Sequence, residues 1–222
     1  MVKPRHFCVG GMAFLVVVGM LAFGCDSGNG TPQSRSSTQV PSPPPPPPPG
    51  VVWQPDTAIL DQLLPYQDVE GYQVRPPKGW GVRPVPSSSN QKNFSWCGPR
   101  RADVTLPEVQ ILIITIPPAS QVEFKGATLE KVFDLAFQGV STTNRNIRFS
   151  DKEGGQVNGV PFMRAKTTDR FQVRGGGDLS GVMYVGRDET TIFVLQFFDG
   201  KSHYDESVKL GTAAILTFRK KP

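Results

Sequence analysis

The stretch that decides the fold is VQILIITI, residues 109–116, the most apolar segment of the chain after residue 50. Its β-branched side chains favour a strand. An apolar run that does not alternate with polar residues is typical of a strand buried on both faces. We therefore predict a central strand, with other elements packed on both sides of it.

N-terminal to this strand, short elements alternate with prolines and glycines. Asp56 can cap a short helix that Pro65 ends. We predict strands at residues 71–75 and 94–97, separated by a turn that buries the indole of Trp80. The apolar stripe of the short helix consists of Ile59, Leu60, Leu63 and Leu64.

C-terminal to the central strand, helical spacing predicts a helix over residues 128–140, and apolar runs between turn residues predict four strands. The helix buries Leu129, Val132, Phe133, Ala136, Phe137 and Val140. The strands are expected at residues 147–151, 160–174, 179–186 and 190–198, with bends at Gly154-Gly155, Asn158-Gly159 and residues 175–177.

A last helix is predicted to start at Ser202, whose hydroxyl can cap it, with Asp205 as the partner. Arg219, Lys220 and Lys221 would then lie at its negative end. The element order predicts an α+β fold, an antiparallel sheet with helices packed on its faces. Residues 51–222 form one globular domain in this prediction. The residues predicted to line the inner face of the last helix are Tyr204, Val208, Gly211, Ile215 and Phe218.

The N-terminus has the parts of a secretory signal peptide. Lys3 and Arg5 precede an apolar run over residues 9–23. The run ends in Leu-Ala-Phe-Gly-Cys, residues 21–25, which resembles a bacterial lipobox, although Ala22 stands where leucine is usual. We predict cleavage after residue 24 and acylation of Cys25, which gives stable anchoring. An uncleaved signal anchor is the alternative. Both interpretations place the rest of the chain outside the cytoplasm, at an envelope membrane.

Residues 25–50 form a linker in this prediction. Within residues 26–50, Val40 is almost the only aliphatic residue, so this segment cannot bury enough apolar surface to fold. The unbroken proline run at residues 43–49 favours polyproline II, a semi-rigid spacer. The segment is expected to hold the domain away from the bilayer, and a ligand for a proline-binding module is the alternative.

Charge and cysteine content limit the classes of partner. The net charge is +5, and removal of Lys3 and Arg5 with the signal peptide leaves 22 basic and 19 acidic residues, or +3. This weak excess does not predict a nucleic-acid partner. The cysteines are Cys8, Cys25 and Cys97, so only Cys97 remains in the domain, and no disulfide framework is expected.

Catalytic chemistry has few candidates. After processing, His203 is the only histidine, and no metal-ligand spacing or cofactor motif accompanies it, so no metal or cofactor is predicted. Cys97 can be a nucleophile paired with His203. A small buried hydrophobic residue is the alternative for Cys97, and a solvated side chain at a helix start is the alternative for His203.

The best candidate surface lies on the predicted strand at residues 160–174. A strand period of two places its basic residues on one face and its apolar residues on the other. This face is either solvated, protecting a sheet edge, or a docking surface for an acidic protein, an anionic lipid or a wall polymer. The basic residues are Arg164, Lys166, Arg170 and Arg174, with Lys152 and Arg187 as possible extensions.

Two segments carry a resemblance to a known family. YQVRPPKGW, residues 72–80, is similar to the opening strand and turn of the PsbP-like family, named for an extrinsic subunit of photosystem II. VNGVP, residues 157–161, resembles the mid-domain hairpin of that family. The resemblance covers about residues 65–220 and implies an α/β/α sandwich. It also implies binding to other proteins, with no shared catalytic site.

These observations predict a membrane-anchored envelope lipoprotein whose domain is a non-catalytic protein-binding or accessory module. The expected contacts are the membrane, through the lipid, and a protein partner. Binding of anionic lipid or wall polymer by the basic strand is the first alternative. An envelope enzyme that uses Cys97 and His203 is the second.

Overall fold

A computed structural model of the chain describes residues 50–101, 106–143, 148–167, 171–172 and 178–222. Three α-helices and twelve strands are found in this part, together with 3-10 turns at Thr57–Gln62, Pro118–Ser120 and Lys201–His203. The helices are α1 Gln121–Gly126, α2 Leu129–Thr143 and α3 Tyr204–Leu216. The strands are β1 Val51–Val52, β2 Gln67–Val69, β3 Tyr72–Val74, β4 Gly81–Arg83, β5 Gln91–Cys97, β6 Glu108–Thr115, β7 Glu153–Val157, β8 Val160–Lys166, β9 Phe171–Gln172, β10 Asp178–Arg187, β11 Thr191–Gly200 and β12 Arg219–Lys220.

The described strands form two sheets. The large sheet has nine strands in the order β1-β7-β8-β10-β11-β6-β5-β4, with β9 also paired to β10. All of its pairs are antiparallel except β1 with β7. The small sheet has the order β12-β3-β2 and is antiparallel. The short turns after β7 and β10 allow this pairing without crossovers.

Strand β6 confirms the prediction of a central strand buried on both faces. Val109, Ile111 and Ile113 face one hydrophobic cluster, which also contains residues of α3. Leu112 and Ile114 face a second cluster, which contains residues of α1 and α2. The alternation follows from the strand period of two.

Helices therefore cover both faces of the large sheet, which is an α/β/α sandwich. Helix α3 approaches β11 closely at Gly211, where a Cβ atom would lie 2.1 Å from the ring of Phe197. Helix α2 packs over β8 and β10 with Val132, Phe133 and Ala136. The fold prediction is confirmed, as is the amphipathic helix expected at residues 128–140.

In the N-terminal part, β3 and β5 confirm the predicted strands, whereas β1, β2 and β4 were not predicted. The carboxylate of Asp56 accepts a hydrogen bond of 3.0 Å from the amide of Ala58, and the turn that it caps is 3-10 rather than α. Gly79 has a φ of 78°, which a residue with a Cβ adopts only with strain, so it permits the turn before Trp80. The Trp80 side chain is half-buried and packs against the α3 cluster.

The strand expected at residues 147–151 is wrong, because only a single bridge at Phe149 occurs there and the strand β7 starts at Glu153. Gly154 and Gly155 were expected to bend the chain, yet they lie inside β7. A Cβ at Gly155 would meet the carbonyl oxygen of Val51 at 2.5 Å. The glycine is therefore required for the close approach of β1.

The long strand predicted at residues 160–174 is also corrected. Strand β8 ends at Lys166, and a separate strand, Phe171–Gln172, pairs with β10. From Val182 to Leu179, β10 advances by three residues, whereas the paired residues run from Lys166 to Phe171, which is five. The chain beside β10 therefore has two more residues than β10 over this stretch. Residues 168–170 and the bend predicted at 175–177 lie outside the described residues.

The last helix starts and ends differently from the prediction. It begins at Tyr204, after the 3-10 turn, rather than at Ser202. It ends at Leu216, and the hydroxyl of Thr217 donates to the carbonyl of Ala214 at 2.6 Å. Arg219 and Lys220 are not at a helix end, because they pair with β3 as strand β12. No helix in the described ranges is long and apolar enough to span a membrane.

Candidate functional site

The basic face predicted on the long strand is only partly available in the structure. Arg164 forms an ion pair with Glu153, and its guanidinium carbon lies 5.0 Å from the ring centroid of Trp53. Lys166 is exposed. Strand alternation puts Phe162 on the same face of β8 as Arg164, and Phe162 is fully buried in the α3 cluster. The basic face is therefore exposed to solvent only toward the C-terminal end of β8.

The other basic candidates do not extend this face. Arg170, Arg174 and the acylation candidate Cys25 lie outside the described residues. Lys152 forms ion pairs with Glu130 and Asp134 of α2, and the hydrogen bond to Asp134 raises its pKa. Arg187 donates to the carbonyl oxygens of Phe124 and Ala127 at 2.8 and 2.6 Å, so it satisfies the end of α1. Their partners therefore place Lys152 and Arg187 at the layer of α1 and α2.

Cys97 is buried, with 6% of its surface exposed. Its sulfur lies 4.0 Å from the hydroxyl oxygen of Ser95. Glu108, paired with Cys97 across β5 and β6, accepts from Ser95 at 2.6 Å and from Arg83 at 3.0 Å. Burial raises the pKa of Glu108 in spite of the nearby Arg83, which acts in the opposite direction.

A row of polar side chains crosses the α2 face of the large sheet beside Cys97. Strand register places Ser95 beside Gln110, and Gln110 beside Gln196. All three side chains are buried, and the oxygen Oε1 of Gln196 has no hydrogen-bond partner in the described part of the chain. The next residues on this face of β6 and β11, Leu112 and Val194, are aliphatic.

The sheet lies between the two residues of the enzyme hypothesis. Cys97 shares the α2 face with Glu108, as strand alternation requires. His203 belongs to the turn that leads into α3 on the other face, and its Nδ1 lies 3.6 Å from a carboxylate oxygen of Glu206. The positions of the two residues do not form a cysteine–histidine pair. Within the described ranges, no group of three His, Cys, Asp or Glu residues is placed to hold a metal.

A different cluster, on the small sheet, was not found in the sequence. We name it the Tyr66 surface: Tyr66, Arg75 and Arg219. The Tyr66 side chain is 39% exposed. The guanidinium carbon of Arg219 lies 3.6 Å from its ring centroid, and that of Arg75 lies 5.9 Å from it. Tyr66 precedes β2, Arg75 follows β3 and Arg219 is in β12, so only folding brings them together.

Comparisons with known proteins agree with this architecture. No family model matches the chain, and no curated protein sequence gives a significant match. Among solved structures, the solution structure of cyanobacterial PsbP (CyanoP) from Synechocystis matches with a TM-score of 0.52 and 14% identity, over 72% of this chain and 94% of that chain. The fold thus defines a PsbP-like α/β/α sandwich.

A second solved structure is LpqN, involved in cell envelope biogenesis of Mycobacterium tuberculosis. It matches with a TM-score of 0.43 and 14% identity, over 78% of this chain and 100% of that chain. A protein of unknown function from Pseudomonas aeruginosa, a putative regulator, matches with a TM-score of 0.44 and 11% identity, over 72% of this chain and 98% of that chain.

Proposed function

We propose that this protein is an exported lipoprotein, anchored to an envelope membrane through Cys25, whose domain is a non-catalytic protein-binding or accessory module. The observation that carries the proposal is the packing of the sheet. Side chains of the α3 cluster and the α2 cluster fill the two faces of the sheet. A partner would therefore bind to the outer surface of the described domain. The PsbP-like fold is consistent with such a role.

The anchor follows from the order of segments in the sequence. A basic head, an apolar run and Gly24-Cys25 precede a polar, proline-rich stretch. Fatty acyl chains on Cys25 would hold the chain at the membrane, because each buried methylene contributes about 0.8 kcal/mol. The linker then gives the domain reach, since polyproline II rises about 3.1 Å per residue.

Metabolic labelling with an alkyne analogue of palmitate tests the anchor. We expect labelled protein in the membrane fraction of the natural host, and no label in Cys25→Ser. Cys97→Ser is the matched control and keeps the label, because Cys97 is buried in the domain. Wild-type protein isolated from the natural host that keeps its initiator methionine and carries no fatty acyl mass would contradict the lipoprotein assignment.

Binding of anionic lipid or wall polymer by Arg164, Lys166, Arg170 and Arg174 is a second candidate function. The exposure of Lys166 favours it, whereas the ion pair of Arg164 with Glu153 weakens it. It predicts that binding to phosphatidylglycerol vesicles decreases with salt and disappears when Lys166 and Arg170 are replaced by alanine. Lys125→Ala, an exposed lysine of α1, is the control and retains binding. Binding that does not depend on salt excludes this function.

The enzyme hypothesis with Cys97 and His203 makes a distinct prediction. A nucleophilic cysteine must react with a thiol reagent in the folded protein. The burial of Cys97 predicts that the folded domain reacts slowly, and that unfolding in guanidinium releases the thiol. Rapid modification of Cys97 in the folded state, suppressed in His203→Ala, would support an enzyme and contradict the binding module.

A further inference from the structure

The Tyr66 surface differs from the sites of Arg83 and Arg101 in its charge balance. Arg83 pairs with Glu108 at 3.0 Å, and Arg101 pairs with Asp199 at 2.6 Å. Within the described residues, neither Arg75 nor Arg219 forms an ion pair with a carboxylate. Two guanidinium charges therefore lie beside an exposed aromatic ring without an anion to balance them.

The fold holds both guanidinium groups in place. Arg75 donates to the carbonyl oxygens of Leu60 and Leu64, each at 2.8 Å, so it also satisfies the end of the first 3-10 turn. Arg219 donates to the side-chain oxygen of Gln73 at 3.1 Å, and strand pairing fixes its backbone. Groups that are already ordered lose little entropy when a partner binds.

The neighbouring charges leave the surface cationic. Asp68, on the same face of the small sheet as Gln73, accepts from Lys221 at 2.6 Å, and this hydrogen bond lowers the pKa of Asp68. Asp68 is thus engaged by its own cation and does not balance the arginines. The Nε of Arg219 is shielded from solvent and has no acceptor in the described part of the chain, so a partner would contact the terminal nitrogens of the guanidinium group.

We infer that the Tyr66 surface binds an acidic segment of a partner protein, one that combines carboxylates with an apolar side chain. The planar guanidinium group matches the geometry of a carboxylate and forms charge-assisted hydrogen bonds with it. Tyrosine and arginine are enriched among the residues that dominate protein interfaces, and the half-exposed ring of Tyr66 offers the apolar contact. This inference rests on the proposed function, because it names the surface and partner class of the binding module.

Fluorescence anisotropy with labelled peptides tests the inference on the mature protein. The first probe is a peptide of glutamates around a central phenylalanine, and the second has glutamine in place of every glutamate. We expect binding of the acidic probe only. Arg219→Gln and Tyr66→Ala should each weaken it about tenfold or more. Lys201→Gln, an exposed cation elsewhere, is the matched control and leaves binding unchanged.

A third variant separates recognition from folding. Arg219→Lys keeps the charge but loses the planar group over the ring, so we expect weaker peptide binding with an unchanged melting temperature. Equal binding of both probes, no binding of the acidic probe, or full binding by Arg219→Gln would overturn the inference. Loss of binding to phosphatidylglycerol vesicles in Arg219→Gln, without peptide binding, assigns the surface to lipid and also overturns it. Because the peptides are soluble, failure here leaves the result of the palmitate labelling unaffected.

Discussion

The two faces of the large sheet are packed by different chemistry. The α3 face is rich in aromatic rings that contact one another, such as Phe193 and Phe218 with centroids 5.3 Å apart. The α2 face has fewer rings, with Phe149 edge-on to Phe133 and Phe137, and it carries the polar row of Ser95, Gln110 and Gln196 toward β5. Aromatic packing contributes more buried area per residue, so we infer that the α3 face supplies most of the stability.

The largest expected effect comes from truncating an aromatic side chain on each face. Phe197 is fully buried and contacts Gly211, so Phe197→Ala should lower the free energy of unfolding by about 3–5 kcal/mol. Phe137, half-buried on the α2 face, should cost about 1–2 kcal/mol on the same change. Urea denaturation measures both values. Equal losses would break the comparison between the faces.

The second prediction concerns the buried carboxylate at the end of β11. Asp199 is fully buried and paired with Arg101. Arg101→Ala should lower the free energy of unfolding by about 3 kcal/mol, because it leaves a buried charge with only hydrogen bonds to Ser207 and Gly200. Thermal denaturation of Arg100→Ala, an exposed neighbour, is the control and should show a change below about 0.5 kcal/mol.

The smallest effect is a pH dependence on the α2 face. Because burial raises the pKa of Glu108 from its ordinary value of 4.5, the folded state binds this proton more tightly than the unfolded state does. Its contribution to stability is therefore present at low pH and is lost as the pH rises above about 4.5. Glu108→Gln should flatten this part of the profile in urea denaturation. A slope that the substitution does not change would assign the dependence to other groups.

Local signals in the sequence predicted much of the fold. The apolar run of β6 and the helical spacing of α2 report their own burial, because the period of the side chains is the same in the sequence and in the structure. Strand β7 was missed because Gly154 and Gly155 have low strand propensity. The close approach of the Val51 carbonyl and the Trp53 ring explains the glycine at position 155, and both contacts are distant in sequence.

The Tyr66 surface was missed for the same reason. Arg219 is far in sequence from Tyr66 and Arg75, and it follows an apolar helical pattern like a cation at a helix end. The structure shows instead that Thr217 ends the helix early. The basic face at residues 160–174 was a local pattern, so it was visible. The number of charges in that pattern did not reveal that Glu153, on the neighbouring strand β7, forms an ion pair with Arg164.

If Cys25 anchors the chain as proposed, the parallel pair β1–β7 has a mechanical consequence. The proline-rich segment enters the domain at Val51, on the outermost strand, where only Val51↔Gly155 and Val52↔Gln156 are paired. Tension along the tether would first load these pairs and then the ring of Trp53, which stands edge-on to Tyr184 at 5.4 Å. Stretching should therefore peel this short strand away before it disturbs the rest of the sandwich.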